Sequence, residues 1–173
     1  MRIGIVACVG VAPLSWASAH SGGGLPCKNK YILPAIAEAQ QHADLVIVFA
    51  HWGIEYSRRP IKLQRRLASD WVAAGADLIL GAHPHVPGAM EQIDGHMVFY
   101  SLGNFIFDQN WSTQTMESVL LEMTFQGDQL VQFQYHPTLI ADQAQPNLLD
   151  PAADDGKRLL KAIRLASHDW LAW

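Results

Sequence analysis

Three histidines follow two apolar runs of the chain in the same way. Residues 44–50 lead directly into His51, and residues 77–82 lead into His83, with His85 two positions further on. Because the carboxyl ends of parallel strands form one edge of an open α/β sheet, we expect the three imidazoles to lie at that edge. Imidazole suits zinc, manganese, iron and nickel, although a lone histidine is more often a hydrogen-bonded structural residue. The repeated strand-end position predicts part of a metal site.

The chain between the two runs favours a helical crossover that joins parallel strands. Residues 55–75 are long enough for a right-handed crossover, which would bring His51 and His83 to neighbouring strand ends about 4.8 Å apart. Ligands from both could then reach one ion at about 2.0–2.1 Å. Pro84 predicts an extended conformation at His83, so that His83 and His85 would share one side of the chain unless the loop bends. Two ions about 3.5–4 Å apart could each take one of them.

Length and composition indicate one globular domain over residues 1–173. The chain has 173 residues, of which 50% are hydrophobic and 16% charged, which is sufficient for a core. A net charge of −4 without a long basic run argues against a nucleic-acid partner. No apolar stretch reaches the roughly 20 residues of a membrane-spanning helix. Cys8 and Cys27 are too few for a disulfide framework and lack the spacing of a zinc knuckle.

One cluster of basic residues allows two interpretations. A solvent-facing helix surface is the more ordinary one. Because the cluster begins shortly after His51, contact with an anionic substrate is the alternative. Its members are Arg58, Arg59, Lys62, Arg65 and Arg66.

The N-terminus also allows two interpretations. A basic residue, an apolar run over 3–14 and the small residues 17–19 match the outline of a secretory signal. The alternative is a buried strand over 3–9, followed by a loop rich in glycine and proline. We favour the strand, because a helix follows that loop and continues the βα order seen downstream. Cleavage after Ala19 in the mature protein would contradict the strand.

Local patterns predict the remaining elements. The apolar run before His51 lacks alternation, as expected for a parallel strand covered on both faces. Helices are predicted over 31–43 and 60–74, the second with a buried stripe formed by Leu63, Leu67, Ala68, Trp71 and Val72. Further along, the patterns predict a short strand over 97–101, a hairpin of strands 117–125 and 129–135, and a closing helix over 154–167.

Four separated motifs carry a resemblance to a known family. They are His51-Trp52-Gly53-Ile54-Glu55-Tyr56, Gly75-Ala76-Asp77, Gly81-Ala82-His83-Pro84-His85 and Tyr100-Ser101-Leu102-Gly103-Asn104-Phe105. In this order they resemble the CapA family of bacterial capsule and poly-γ-glutamate synthesis proteins. That family belongs to the calcineurin-like metallophosphoesterase superfamily. The resemblance extends from Met1 to about Ser167, which is nearly the whole chain.

The resemblance implies a fold and a site. The fold would be the C-terminal half of a distorted four-layer α/β sandwich, with parallel βαβ units followed by an antiparallel hairpin and a C-terminal helix. The site would hold two divalent ions (manganese, zinc or iron), with His51 and His83 serving one ion and His85 the other. The location implied for the parent family is the cell envelope.

Two departures from the family pattern affect these expectations. Ala82 stands where many relatives carry another histidine, although the His-Pro-His pair is kept. The superfamily site also uses an N-terminal Asp and His, a bridging carboxylate and an Asn-His motif, and none of these precedes His51. We therefore expect the chain to be part of a longer protein, with the missing half or a second copy as a partner. Taken alone it is expected to bind metal weakly and to show little hydrolysis.

Metal-assisted hydrolysis of a phosphoester is the activity implied for the intact parent. His85 is the candidate acid near the leaving group, and a phosphoester or an anionic polymer is the implied partner. The alternatives are a non-hydrolytic role in polymer export or assembly, and an inactive metal-binding remnant whose exposed half-core would need a partner.

Four further residues are candidates for the surroundings of the site. Glu55 would orient an imidazole, or else face water. Asn104 would hydrogen-bond a ligand or the substrate, or else serve the turn at Gly103. Trp52 and Tyr56 would line the pocket, or else pack in the core.

Overall fold

The computed structural model describes residues 1–142 and 144–168. Residue 143 and residues 169–173, which the predicted domain includes, lie outside the described part. In chain order the elements are β1 (Ile3–Val9), a 3₁₀ turn (Pro13–Ser15), α1 (Asn29–Gln40), β2 (Leu45–His51), α2 (Lys62–Ala73), β3 (Leu78–Ala82), β4 (Met90–Ile93), β5 (His96–Phe99), α3 (Thr113–Met116), β6 (Glu117–Gln126), β7 (Gln129–Ala141), β8 (Gln145–Leu148) and α4 (Asp154–Ser167). Among these helices, none has the length and hydropathy needed to cross a membrane.

A five-stranded sheet forms the centre of the fold. Its strand order is β1-β2-β3-β5-β4, in which β4 is antiparallel to β5 and the other neighbours are parallel. The predicted crossover is confirmed, because α2 connects the paired strands β2 and β3. The strand predicted at the N-terminus is present over Ile3–Val9 and pairs with β2 along its full length. The mixed α/β class with parallel βαβ units is therefore confirmed.

Helices α1 and α2 cover one face of this sheet. Ile32 and Ile36 of α1 and Trp71 of α2 are fully buried against the even-numbered side chains of β1 and β2. The Asn29 side chain ties the helices together: its amide donates to Asp70 (2.6 Å), and its oxygen accepts from the Trp71 indole (3.1 Å).

The predicted buried stripe of α2 is wrong at one position. Leu63 is 49% exposed, whereas Gln64 is buried. The reason lies at the start of the helix, because α2 begins at Lys62 instead of residue 60 and the Gln64 side chain accepts a hydrogen bond from the backbone N–H of Ile61 (3.0 Å). Capping of the first turn thus turns the glutamine inward.

A second, three-stranded antiparallel sheet, β6-β7-β8, packs on the other face of the central sheet near β3, β5 and β4. Phe99 of β5 contacts Phe133 and Tyr135 of β7 edge to face, with ring centroids 5.2 and 5.8 Å apart.

The predicted hairpin is confirmed, and its strands extend beyond the predicted ends to residues 126 and 141. Helix α4 has the predicted bounds and buries Leu159 and Ile163. The short strands β4 and β8 were not predicted.

The antiparallel sheet leaves part of that face uncovered. The odd-numbered residues of β1 point away from α1, and Ile3 and Ile5 are 52% and 68% exposed. Phe49, on the same face of β2, is also exposed. An apolar area at the β1 edge of the sheet therefore faces solvent, and we call it the open face.

A disulfide joins Cys8 and Cys27. Cys8 lies near the end of β1, and Cys27 lies just before α1. Backbone hydrogen bonds between Val9 and residues 25 and 27 hold the same two segments together. The low cysteine count did not indicate this pairing, which closes the glycine- and proline-rich loop against the strand.

Candidate metal centre

The three predicted histidines lie together at the carboxyl edge of the central sheet. His51 is the last residue of β2 and pairs with Ala82, the last residue of β3, so that His83 begins the following loop beside it. The ring centroids of His51 and His83 are 4.9 Å apart, and those of His83 and His85 are 5.9 Å apart. All three side chains are half-buried.

The loop that carries His83 and His85 is bent, and the predicted extended conformation of His83 is wrong. His83 has φ 102° and His85 has φ 60°, both in the region that favours glycine. Pro84 disfavours the right-handed helical region at His83 but does not by itself select the extended one. Pairing holds the bend, since the backbone N–H of Tyr56 donates to the Pro84 carbonyl (2.8 Å). Such conformations cost about 1–3 kcal/mol each and are typical of functional sites.

Glu55 joins the histidines. One ligand atom from each of Glu55, His83 and His85 lies within 4.8 Å of the other two. The carboxylate is exposed, on the loop that follows β2, and this loop is held against the His83 loop by a hydrogen bond from the Trp52 N–H to the Ala82 carbonyl (2.9 Å). The site therefore includes a carboxylate among its possible ligands.

Burial lowers the pKa of two of the imidazoles. For His51, burial is the main cause of the lowered pKa, and the neighbouring His83 and His85 add to it. For His83, burial again lowers the pKa, although Glu55 acts in the opposite direction. At pH 7 both rings are neutral and have a nitrogen lone pair available, which is the form that binds metal ions.

Asn104 is buried behind His85. Its side-chain oxygen lies 2.9 Å from Nδ1 of His85, and its amide nitrogen donates to Gln109 Oε1 and to the Thr115 carbonyl, both at 3.0 Å. Gly103, just before it, has φ 83°. The turn at Gly103 thus places the asparagine against the imidazole of His85.

Of the two predicted pocket aromatics, only Tyr56 lies near the site. Its ring centroid is 6.5 Å from that of His85, and the ring is 48% exposed. Trp52 is buried and stacks between Trp71 and Tyr100, so it belongs to the core. Phe107 is a site neighbour that we did not predict, with its ring 5.6 Å from His85.

The basic cluster after β2 is partly committed to internal ion pairs. Arg58 donates to the Pro87 carbonyl (2.7 Å) and to Glu117 (3.2 Å), and Arg65 forms a two-point contact with Glu91. These contacts join the cluster to β4 and β6. They leave those two guanidinium groups engaged within the fold rather than turned to an anionic substrate.

The donors present suit a borderline divalent cation. Histidine nitrogens and a carboxylate oxygen are the ligand types found at zinc, manganese and iron sites. Glu55, His83 and His85 each bring one possible ligand atom within 4.8 Å of the other two, and the ring of His51 lies 4.9 Å from that of His83. The fold and site define an α/β protein with a candidate metal centre at the ends of parallel strands.

The chain belongs to the family described as bacterial capsule synthesis protein PGA_cap, whose sequence model matches residues 7–109. All the site residues above, apart from the supporting Thr115, lie within that stretch. The chain is similar to the PGA biosynthesis protein CapA of Bacillus subtilis (strain 168), with 43% identity over 121 residues, 70% of this chain and 32% of that protein.

Two other relatives extend the comparison. The capsule biosynthesis protein CapA of Bacillus anthracis is 42% identical over 110 residues, 61% of this chain and 26% of its own length. An uncharacterized protein of Sinorhizobium fredii, y4sH, is 34% identical over 79 residues, 44% of this chain and 17% of its own length. The chain thus spans about a third or less of the length of these relatives.

Proposed function

We propose that this chain supplies the histidine-rich part of a divalent-metal centre, and that the intact protein uses this centre to hydrolyse a phosphoester during synthesis of a capsule polymer. The convergence of His51, His83 and His85 with Glu55 at one sheet edge carries the proposal. The names of the Bacillus relatives, which refer to capsule and PGA biosynthesis, support the biological process.

The residues divide into three roles in this proposal. His51 and His83 would hold one ion, and His85 a second, with Glu55 completing the set beside His83. A bound divalent ion would supply Lewis-acid chemistry, polarising a phosphoryl oxygen and making water more acidic. The rings of Tyr56 and Phe107 lie beside His85, and His85 is also the candidate acid for the leaving group.

The charge of the available ligand groups limits how tightly the site can bind a metal ion. One carboxylate offsets one of the two positive charges of a divalent ion, and the imidazoles are neutral. We therefore expect the chain by itself to bind zinc or manganese weakly, with little phosphoester hydrolysis. Tight binding of two ions per chain in calorimetry would contradict this expectation.

Metal binding can be tested with one variant and a matched control. His83→Ala removes the donor that lies between the other two histidines, and it should abolish the calorimetric signal for Zn²⁺ or Mn²⁺. His42→Ala makes the same change at an exposed position near the opposite end of β2, and it should leave binding intact. Equal binding by wild type, His83→Ala and His42→Ala would show that the cation binds elsewhere.

Activity needs the longest reading frame that encodes this chain. We expect that protein to hydrolyse bis-p-nitrophenyl phosphate or p-nitrophenyl phosphate with added Mn²⁺, and His51→Ala or His83→Ala to remove the activity together with capsule production in cells. If no phosphoester is hydrolysed and both variants still produce capsule, the metal-dependent proposal fails.

A second candidate is a non-catalytic role in assembling or exporting an anionic polymer. Among the described residues the donor group holds one carboxylate, Glu55, and this favours the second candidate because closed two-ion centres use more anionic ligands. For this role we expect the wild type to bind metal without hydrolysing a phosphoester, and His83→Ala to lose capsule production.

A further inference from the structure

We propose that Asn104 fixes His85 in the tautomer that carries its proton on Nδ1, so that Nε2 presents a lone pair to the candidate metal centre. Asn104 is therefore a positioning residue, which acts through His85. The significance of this inference rests on the proposed metal centre, although the tautomer itself is a property of the metal-free chain.

The first step is the orientation of the asparagine amide. Its nitrogen lies 3.0 Å from the Thr115 carbonyl oxygen and 3.0 Å from Gln109 Oε1. A backbone carbonyl can only accept, so the NH₂ group must face Thr115. A flipped amide would set two oxygens against each other at a position that is 8% exposed, where water cannot compensate.

The second step passes from the amide to the imidazole. With its nitrogen directed to Thr115, Asn104 presents its oxygen to Nδ1 of His85 at 2.9 Å. An amide oxygen accepts hydrogen bonds and cannot donate, so Nδ1 must carry the proton. A neutral imidazole has one N–H, and Nε2 is therefore the unprotonated nitrogen.

The structure also holds the asparagine in place. Thr115 is fully buried in α3, and its hydroxyl donates to the backbone carbonyls of Gln109 (3.0 Å) or Ser112 (2.9 Å). The hydroxyl of Ser112 accepts from the Thr115 N–H (3.2 Å) at the start of that helix. The loop and short helix after Asn104 thus form a support for one buried amide.

The tautomer separates two roles that were open for His85. With Nε2 unprotonated, the ring can bind a cation or accept a proton there, but it cannot donate a proton to a leaving group without first gaining a second one. Asn104 therefore favours the ligand role of His85 over the acid role. Hydrogen bonds of this kind orient ligating histidines and raise their basicity, and losing one costs about 10- to 100-fold in metal affinity.

Nitrogen NMR of the metal-free chain tests the tautomer directly. Long-range ¹H–¹⁵N correlation of histidine-labelled protein at about pH 7.5 should show His85, assigned by its absence in His85→Gln, with the proton on Nδ1. Asn104→Leu should remove that pattern. The wild-type spectrum alone determines the tautomer, so the proposal can be tested even if the Leu variant folds poorly.

The proposal is overturned if wild-type His85 carries its proton on Nε2, or if a folded Asn104→Leu variant keeps the Nδ1 pattern. Zinc titration gives an independent result: Asn104→Leu should raise the Kd about 10- to 100-fold. An Nδ1–H tautomer in a chain that binds no Zn²⁺ or Mn²⁺ would refute the metal centre and uphold the positioning role.

Discussion

Glu91 is the buried carboxylate that joins β4 to α2 and to the core behind the site. It accepts two hydrogen bonds from Arg65, at 3.0 and 2.6 Å, and one from the Tyr100 hydroxyl at 2.6 Å. These contacts raise the pKa of Arg65, and burial together with Glu91 raises the pKa of Tyr100. Because Tyr100 stacks on Trp52, the residue after His51, the carboxylate supports the strand end that carries the first histidine.

Replacement of Glu91 should therefore destabilise the fold. Glu91→Leu removes the acceptor of the Tyr100 hydroxyl and of two hydrogen bonds from Arg65, and we expect the free energy of unfolding in urea to fall by about 2–4 kcal/mol. Glu122→Leu removes an exposed carboxylate that is paired with His136, and it should cost less than about 1 kcal/mol. Similar losses in the two variants would contradict the structural role of Glu91.

The histidines of the site make stability depend on pH. Burial lowers the folded-state pKa of His51 and His83 below the ordinary imidazole value of about 6.5, so the unfolded chain takes up protons first as the pH falls. These two groups should therefore leave the free energy of unfolding of the metal-free protein unchanged above about pH 6.5. They should reduce it as the pH decreases below that value. Urea titrations between about pH 7.5 and 5 should show a smaller decline for His51→Gln than for wild type. An equal decline would rule out His51 as a source of the pH dependence.

Strand β1 depends on a covalent connection as well as on its pairing with β2. It lies at the edge of the sheet, and the disulfide between Cys8 and Cys27 attaches its end to the segment before α1. Disulfides of this kind persist in oxidising compartments. The same connection holds Gly10, whose N–H donates to the His51 carbonyl at 2.8 Å, beside the candidate centre.

Loss of the disulfide should lower stability measurably. The two cysteines are 19 positions apart, and a loop of this size corresponds to about 3 kcal/mol of chain entropy in the unfolded state. We expect the double variant Cys8→Ser, Cys27→Ser to unfold at a correspondingly lower urea concentration, and reduction of wild type to have a similar effect. Reductant should not change the double variant further. A fully reduced wild type with an unchanged midpoint would contradict the prediction.

The open face is the property of the molecule as a whole that most affects its behaviour in solution. The helices cover one side of the central sheet, while the antiparallel sheet covers only part of the other, so that apolar residues of β1 and β2 remain exposed. Exposed apolar patches of this kind bind hydrophobic dyes and promote association. The edge position of β1 adds unpaired backbone groups to the same area.

A polar substitution on the open face should change association and leave the fold intact. Ile5→Thr should reduce the fluorescence of bound anilinonaphthalene sulfonate and the fraction of associated species in sedimentation, with the free energy of unfolding within about 0.5 kcal/mol of wild type. Val6→Thr, one residue further on, faces α1 and is buried, so it should destabilise the protein. Unchanged dye binding in Ile5→Thr would show that the open face is not the surface that binds the dye and mediates association.

Much of the architecture could be predicted from local patterns. Strand β1 and helix α4 have the predicted bounds, and β2 and β3 begin and end within a residue of the prediction. These successes have a common cause, since the period of apolar residues and the position of glycine and proline depend on neighbours in the chain. The strand-end position of His51 and His83 follows from the same patterns. Strand β4 was not predicted because its four residues include Glu91 and Gln92 and form no apolar run.

What escaped prediction depends on contacts between residues that are far apart in the chain. Asn104 meets His85 across 19 positions, Cys8 meets Cys27 across the same distance, and the bend at His83 is held by Tyr56. No local pattern reports such a pairing, because it arises when separate segments pack. Hydrophobic periodicity therefore placed the three histidines at one sheet edge, whereas packing determined their ring orientations, the entry of Glu55 into the donor group, and the part of the sheet that remains uncovered.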